Sequence, residues 1–153
     1  MNGQRLMFIA LLLSWIGVFV VPTRAMCPGP LTLEDQFAHS QTVFVGRAIA
    51  QQVVPIDSRP GTRATETTFQ VEKLWKGQAN VILRVQTCGW RDGSETVTCS
   101  EGFNFVVGSR YVVFASAEPL QTNECFPTAL VERAEGTLQW LSDKHLPAKR
   151  GTT

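Results

Sequence analysis

The chain carries 153 residues, 44% hydrophobic and 18% charged, with 14 Lys and Arg against 13 Asp and Glu. That length holds one modest domain with a core of its own. The even charge balance argues against a nucleic-acid partner, whose affinity comes largely from phosphate neutralisation by Lys and Arg.

The chain opens with one early cation, Arg5, followed by an uncharged apolar run from Leu6 to Val21. Pro22 breaks a helix there, and Thr23 and Ala25 place small residues at the −3 and −1 positions of a cleavage site. This is the layout of a secretory signal peptide. At about 16 residues the run is short of the roughly 20 that a bilayer span needs, and an uncleaved anchor is the alternative. The expected organisation is therefore a leader over 1–25, one domain over 26–142, and a tail over 143–153 with too little apolar content to pack. Arg5 and Arg24 leave with the leader, taking the 14 cations to 12 against 13 acids, a net charge near −1. A secreted or periplasmic protein with no stable membrane span after cleavage is expected.

Four cysteines, Cys27, Cys88, Cys99 and Cys125, are an even set in a chain bound for an oxidising compartment, so two disulfides are the default. No Cys-x-x-Cys pair occurs and the histidines are only His39 and His145, which gives a closed zinc shell no usable spacing. No metal or cofactor is expected. Cys27, beside the cleavage point, has three chemical fates: lipidation, a metal-chelating N-terminus, or half of a disulfide. Lipidation fits poorly, because Met26 is bulky for the preceding residue and Arg24 is out of place. The other two remain open on these residues alone.

In the mature chain, Thr32 followed by Asp35 resembles a capping box, with Asp where Glu or Gln is commoner. It predicts a short helix over 32–40 with Leu33 and Phe37 on one face and His39 on its surface. Thr42 to Val54 is β-rich, and Gly46 within it marks a bulge. Pro55 to Arg63 reads as a loop. Thr65 to Trp75 alternates, with Thr67, Phe69, Val71 and Trp75 sharing one face opposite Glu66, Thr68, Gln70 and Glu72. A turn then leads into Val81 to Thr87, which alternates through Val81, Leu83 and Val85. Cys88 to Glu101 is a polar excursion, and Gly102 to Ala117 supplies more strand, interrupted at Gly108. After Cys125 and Pro127, Leu130, Ala134, Leu138 and Leu141 recur at helical spacing. Gly136 weakens that helix by about 1 kcal/mol relative to Ala.

Short strands with internal glycines and two flanking helices predict an all-β domain that curls upon itself. A small five-stranded OB-type Greek-key barrel, stapled by disulfides, fits best; an open sandwich is the alternative. No Gly-x-Ser-x-Gly elbow, phosphate-cradling glycine loop or cysteine with a placed His and Asp is found. The chain reads as not an enzyme. Trp75 and Trp140 read as core, whereas Trp90, inside the polar excursion, is a candidate contact residue.

Several stretches, in order, carry a resemblance: "VFVGRAI" after a short helix, "TTFQVEKLWKG", "RYVVFA", "TNECFPT", and a C-terminal amphipathic segment. Together they resemble bacterial proteins related to the tissue inhibitors of metalloproteinases, over nearly the whole mature chain. The resemblance implies a secreted, non-enzymatic, netrin-like OB barrel. In the animal inhibitors the mature chain begins Cys-x-Cys, and the first cysteine's amine and carbonyl chelate the protease's zinc where a water would attack.

This chain departs there, reading Ala25-Met26-Cys27-Pro28 with a single cysteine. The resemblance places Cys27 on the second member of the pair, whose partner matches Cys125. Cys99 matches the cysteine that ties down the missing first one, which leaves Cys88 as its partner. The pairing so implied is Cys27–Cys125 and Cys88–Cys99. In the chain-entropy picture the first closes a loop approaching 100 residues, worth up to about 4.7 kcal/mol, and the second roughly 12, worth just under 3. Met26, not itself pinned, would have to be ordered at a cost in binding energy. The expectation is a protein-binding module with inhibition weak or lost. Its contact ridge would comprise Met26, Cys27, Pro28, Gly29, Pro30 and Trp90, facing an extracytoplasmic protein such as a zinc metallopeptidase. The alternatives are a genuine inhibitor chelating through the Met26/Cys27 end, and an envelope structural or ligand-binding module.

Overall fold

Thr32 does what its hydroxyl favours at a helix start. In the computed structural model, which describes residues 31–56, 63–88, 90–92, 95–97 and 102–145, it caps helix α1 (Leu33–His39). Its hydroxyl accepts the Asp35 N–H at 3.1 Å, and the Asp35 carboxylate accepts the Thr32 hydroxyl at 2.7 Å and its N–H at 3.2 Å. The expected capping box is present. Those bonds, the hydroxyl's first, hold the Asp35 carboxyl below its ordinary value.

The chain then runs through β1 (Thr42–Pro55), β2 (Arg63–Lys76), β3 (Ile82–Cys88), a small hairpin of β4 (Trp90–Asp92) and β5 (Glu95–Val97), β6 (Arg110–Ala115) and β7 (Ala129–Leu130). A 3-10 turn (Val131–Arg133) leads into α2 (Glu135–Lys144). The main sheet has the order β3-β2-β1-β6-β7, with all four pairings antiparallel. A meander of three strands whose fourth returns beside the first is a Greek-key order.

Bulges curl this sheet. The β1–β2 register skips Ile49 on β1 and both Glu72 and Trp75 on β2. Gly46 sits at one of these shifts, as expected. A side chain there would bring its Cβ to 2.8 Å from the Gln70 carbonyl oxygen of the neighbouring strand. The extruded Glu72 carboxylate accepts from Arg110 across β1, at 2.9 and 3.1 Å from Nε.

The same bulges correct the expected face of β2. Thr67 and Phe69 are buried on the inner side, but Trp75, expected beside them, lies in a different cluster. Two skipped positions between Val71 and Lys76 break the period-2 count, and Leu74 takes the inward place instead. The inner cluster is built from Phe44, Phe69, Leu83, Val85, Tyr111 and Val113. The outer one joins Val43, Val45, Trp75, Val112 and Phe114 to Ala134 and Leu141, with Phe37, Leu138 and Trp140 packed on it. Helices α1 and α2 therefore cover one face of the sheet while the sheet wraps its other face around the aromatic core. Five of the six β6 residues are buried because β6 is covered on both faces.

Other boundaries shift for physical reasons. Residues 102–106 form no strand, although Gly102 to Ala117, interrupted at Gly108, was expected to supply strand on both sides of the break. Phe105 nonetheless packs on Phe69 and Tyr111 at ring separations of 4.9 Å, and the Tyr111 hydroxyl accepts the Val106 N–H at 2.9 Å. The turn at Gly108, with φ +91°, then leads into β6. Val81, expected inward, precedes β3 and is 59% exposed. Leu130 pairs with Tyr111 as strand, so α2 starts only at Glu135. Helix α2 reaches Lys144, and His145 stacks on Phe37 with ring centroids 3.8 Å apart, so 143–145 belong to the packed domain and not to a tail.

The five-stranded sheet is not closed into the expected barrel. Its β3 edge and the end of β6 are joined instead by single-residue bridges through Gln121, parallel to Gln86 and antiparallel to Ser116. The Gln86 N–H donates to Leu120 O at 2.8 Å, and Gln121 and Ser116 exchange bonds of 2.8 and 2.9 Å. A turn containing the cis peptide Glu118–Pro119 occupies the place where a longer strand would run. Among the described residues no helix is long and apolar enough to cross a membrane.

Candidate functional site

The two cysteines within the described residues lie at the same end of the sheet. Cys88 ends β3, and Cys125 sits in the turn that follows the Gln121 bridge. Both are disulfide-bonded, and no described cysteine is free. Cys27 and Cys99, with which the pairing was expected, lie outside the described residues.

The Cys125 turn is held from two sides. Its N–H donates to Asn123 Oδ1 at 2.9 Å, an Asx-type contact, and its carbonyl accepts Gln36 Nε2 at 3.0 Å. The second bond ties the turn to α1. The Lys76 ammonium anchors the C-terminal end of that helix, donating to the carbonyls of Phe37 and Ala38 at 2.8 and 2.9 Å.

Between Cys88 and the 123–126 turn opens a pocket of about 250 Å³. Ile56, Ala64 and Phe126 give it apolar walls, and Ser116, Gln121 and Asn123 give it polar ones. No described lining residue is charged. Two of the polar residues lining it are already engaged: Thr122 meets Thr128 Oγ1 at 3.0 Å, and Gln86 donates to Glu66 at 3.3 Å. Asn123 spends its oxygen on Cys125, which leaves its amide donors, the Gln121 carboxamide and the Ser116 hydroxyl without a side-chain partner among the described residues.

Of the expected contact ridge, Met26, Cys27, Pro28, Gly29 and Pro30 lie outside the described residues. The backbone of Trp90 starts β4, opposite Val97, and β4 lies against β1 and β2. The hairpin replaces part of what was read as an irregular excursion. His39 is exposed, its Nδ1 2.7 Å from the Asp35 carbonyl oxygen, and His145 is held in the aromatic stack. Among the described residues no three His, Cys, Asp or Glu side chains gather as a metal site. Sequence reasoning did not find Gln121 or Asn123. They stand beside the recognised Cys125 in "QTNEC", but only the fold brings them to Cys88.

No protein-family model matches this chain, and a search of curated proteins returned no match.

Proposed function

We propose that the chain is an exported, non-enzymatic binding module of the OB type, related to metalloproteinase inhibitors, with chelating inhibition weak or lost. The observation that carries the reading is the bond from Gln36 to the carbonyl of Cys125. Helix α1 is thereby fastened to the Cys125 turn, and its cap, Thr32, follows Cys27 by only five positions. Five extended residues reach about 17 Å, so a Cys27–Cys125 bond is within range of the anchored helix. The β4–β5 register supports the second pairing. It opposes Trp90, two positions after Cys88 in the sequence, to Val97, two positions before Cys99. A Greek-key sheet whose edges are laced by bridges suits the partly open barrel that the OB form describes.

In this reading Cys27 staples the N-terminal segment and is not available to lead an attack on another protein's zinc. The partner is an extracytoplasmic protein, met by the ridge of Met26 to Pro30 with the Trp90 hairpin. Peptide mapping of the secreted protein under non-reducing conditions tests it. Linked peptides Cys27–Cys125 and Cys88–Cys99 are expected. Cys27 found free, acylated, or joined to Cys88 or Cys99 would sink the reading. Nanomolar inhibition of a zinc endopeptidase would separately overturn the loss of chelation.

A further inference from the structure

The pocket between Cys88 and the 123–126 turn has a chemical preference that does not depend on the inhibitor reading. We propose that it is a recognition site for one uncharged carboxamide side chain, Asn or Gln, presented by a partner protein. Its volume, about 250 Å³, falls just below the roughly 300–1,000 Å³ of drug-sized ligand sites and suits one inserted side chain. Ile56, Ala64 and Phe126 offer apolar surface to the methylenes of such a side chain. The Gln121 carboxamide both donates and accepts, the Asn123 amide donates, and the Ser116 hydroxyl does either. A carboxamide is the side-chain group that carries a matching donor and acceptor at one end.

Charge provides the selectivity. A carboxylate entering here would leave water without meeting a cation in the described lining. An ammonium would find no carboxylate in the described lining. Moving either ion out of water without a counter-charge is far costlier than moving an amide that is hydrogen-bonded on arrival. The acceptor of Asn123 is spent on the Cys125 N–H, so its contribution to a ligand is donation alone.

The test is a titration of the oxidised, isotope-labelled protein with N-acetyl-glutamine methylamide and with its glutamate and lysine counterparts, followed by the side-chain amide resonances of Gln121 and Asn123. The glutamine probe should shift both resonances saturably and bind at least tenfold more tightly than either charged probe. Two variants refine it. Asn123→Asp keeps the acceptor for Cys125 but removes the donors, and should weaken the glutamine probe at least fivefold. Gln121→Glu should lose the preference for glutamine and admit the lysine probe. The side chain of Gln121 makes no described hydrogen bond, so a folded Gln121→Glu protein is expected, checked by unchanged resonances at α2. Equal binding of the three probes, tighter binding of either charged one, or no saturable shift with glutamine overturns the proposal. So does a glutamine response that survives both substitutions.

Discussion

Replacing Gly46 by Ala tests whether the bulged β1–β2 register is what shapes the domain. The added Cβ would lie 2.8 Å from the Gln70 carbonyl oxygen and 3.0 Å from the Phe44 ring. The nearer obstacle is backbone, part of the paired strand, and cannot rotate away as a side-chain tip would. Gln70 and Arg47 are opposed in the register, so β2 must retreat from β1 where Phe44, Ala48 and Phe69 meet in the core. Overpacking of this kind costs about 1–3 kcal/mol. The smaller conformational freedom of Ala in the unfolded chain returns about 0.4–1 kcal/mol. A net loss of roughly 1–2 kcal/mol is expected, which for a domain of this size lowers the melting temperature by about 3–10 °C. Thermal and urea unfolding of the oxidised protein measure it. Gly136→Ala is the control: its Cβ would meet nothing within 4 Å beyond its chain neighbours and the backbone of its own helix, and Ala favours a helix by up to about 1 kcal/mol. That variant should melt at or above the parent temperature. If Gly46→Ala were as stable as the parent while Gly136→Ala behaved as stated, close strand approach at Gly46 would not be limiting the fold.

Two further perturbations probe the helices that flank the sheet. Thr32→Ala should cost about 1 kcal/mol at neutral pH, the usual loss for an N-cap hydroxyl. Asp35 has a depressed pKa in the folded state, so the stability it contributes is present above its ordinary value of 3.8 and fades as pH falls through the lower folded value. The difference between parent and Thr32→Ala should therefore narrow on acidification below that range, and a constant difference from neutral pH to pH 2 would refute the coupling. His145→Ala removes a ring stacked on Phe37 at 3.8 Å and tilted on Trp140 at 4.9 Å. Such aromatic pairs contribute about 0.5–1.5 kcal/mol, so the urea midpoint should fall with the slope unchanged. An unshifted midpoint would return His145 to a tail that does not pack.

What could be read without coordinates was whatever depends on neighbours in sequence. The Thr32–Asp35 box is a three-residue pattern, and α1 begins where it says. The glycine inside β1 marked a register shift because an unbranched position within a β-rich run has few other uses. Trp75 shows where that reasoning stops. Alternation assigns a face only while the count is unbroken, and nothing in "VEKLW" announces that Glu72 and Trp75 are passed over by the partner strand. β6 held a signal that was not used for burial: "YVVFA" does not alternate, as a strand covered on both faces need not. Gly102 to Val107 misled in the opposite direction, because Phe103 and Phe105 owe their place to packing on Tyr111 and not to a ladder of backbone bonds.

The pocket was beyond reach for a related reason. Its walls come from the end of β1, the start of β2, the end of β3 and the segment after β6; strand pairing brings the first three together, and the Gln121 bridges to Gln86 and Ser116 add the fourth. Those two single-residue bridges thus do more than lace an open sheet edge. They hold the Gln121–Asn123 segment against β3 and the end of β6, where it lines the pocket with Cys88 and Phe126, and the 123–126 turn is fastened in turn to α1 through Gln36. A partner that pulled on the N-terminal segment would load the same turn that walls the pocket. The disulfide at Cys125 and the bridge at Gln121 lie four positions apart, so covalent anchoring and pocket shape are coupled through one short stretch of backbone.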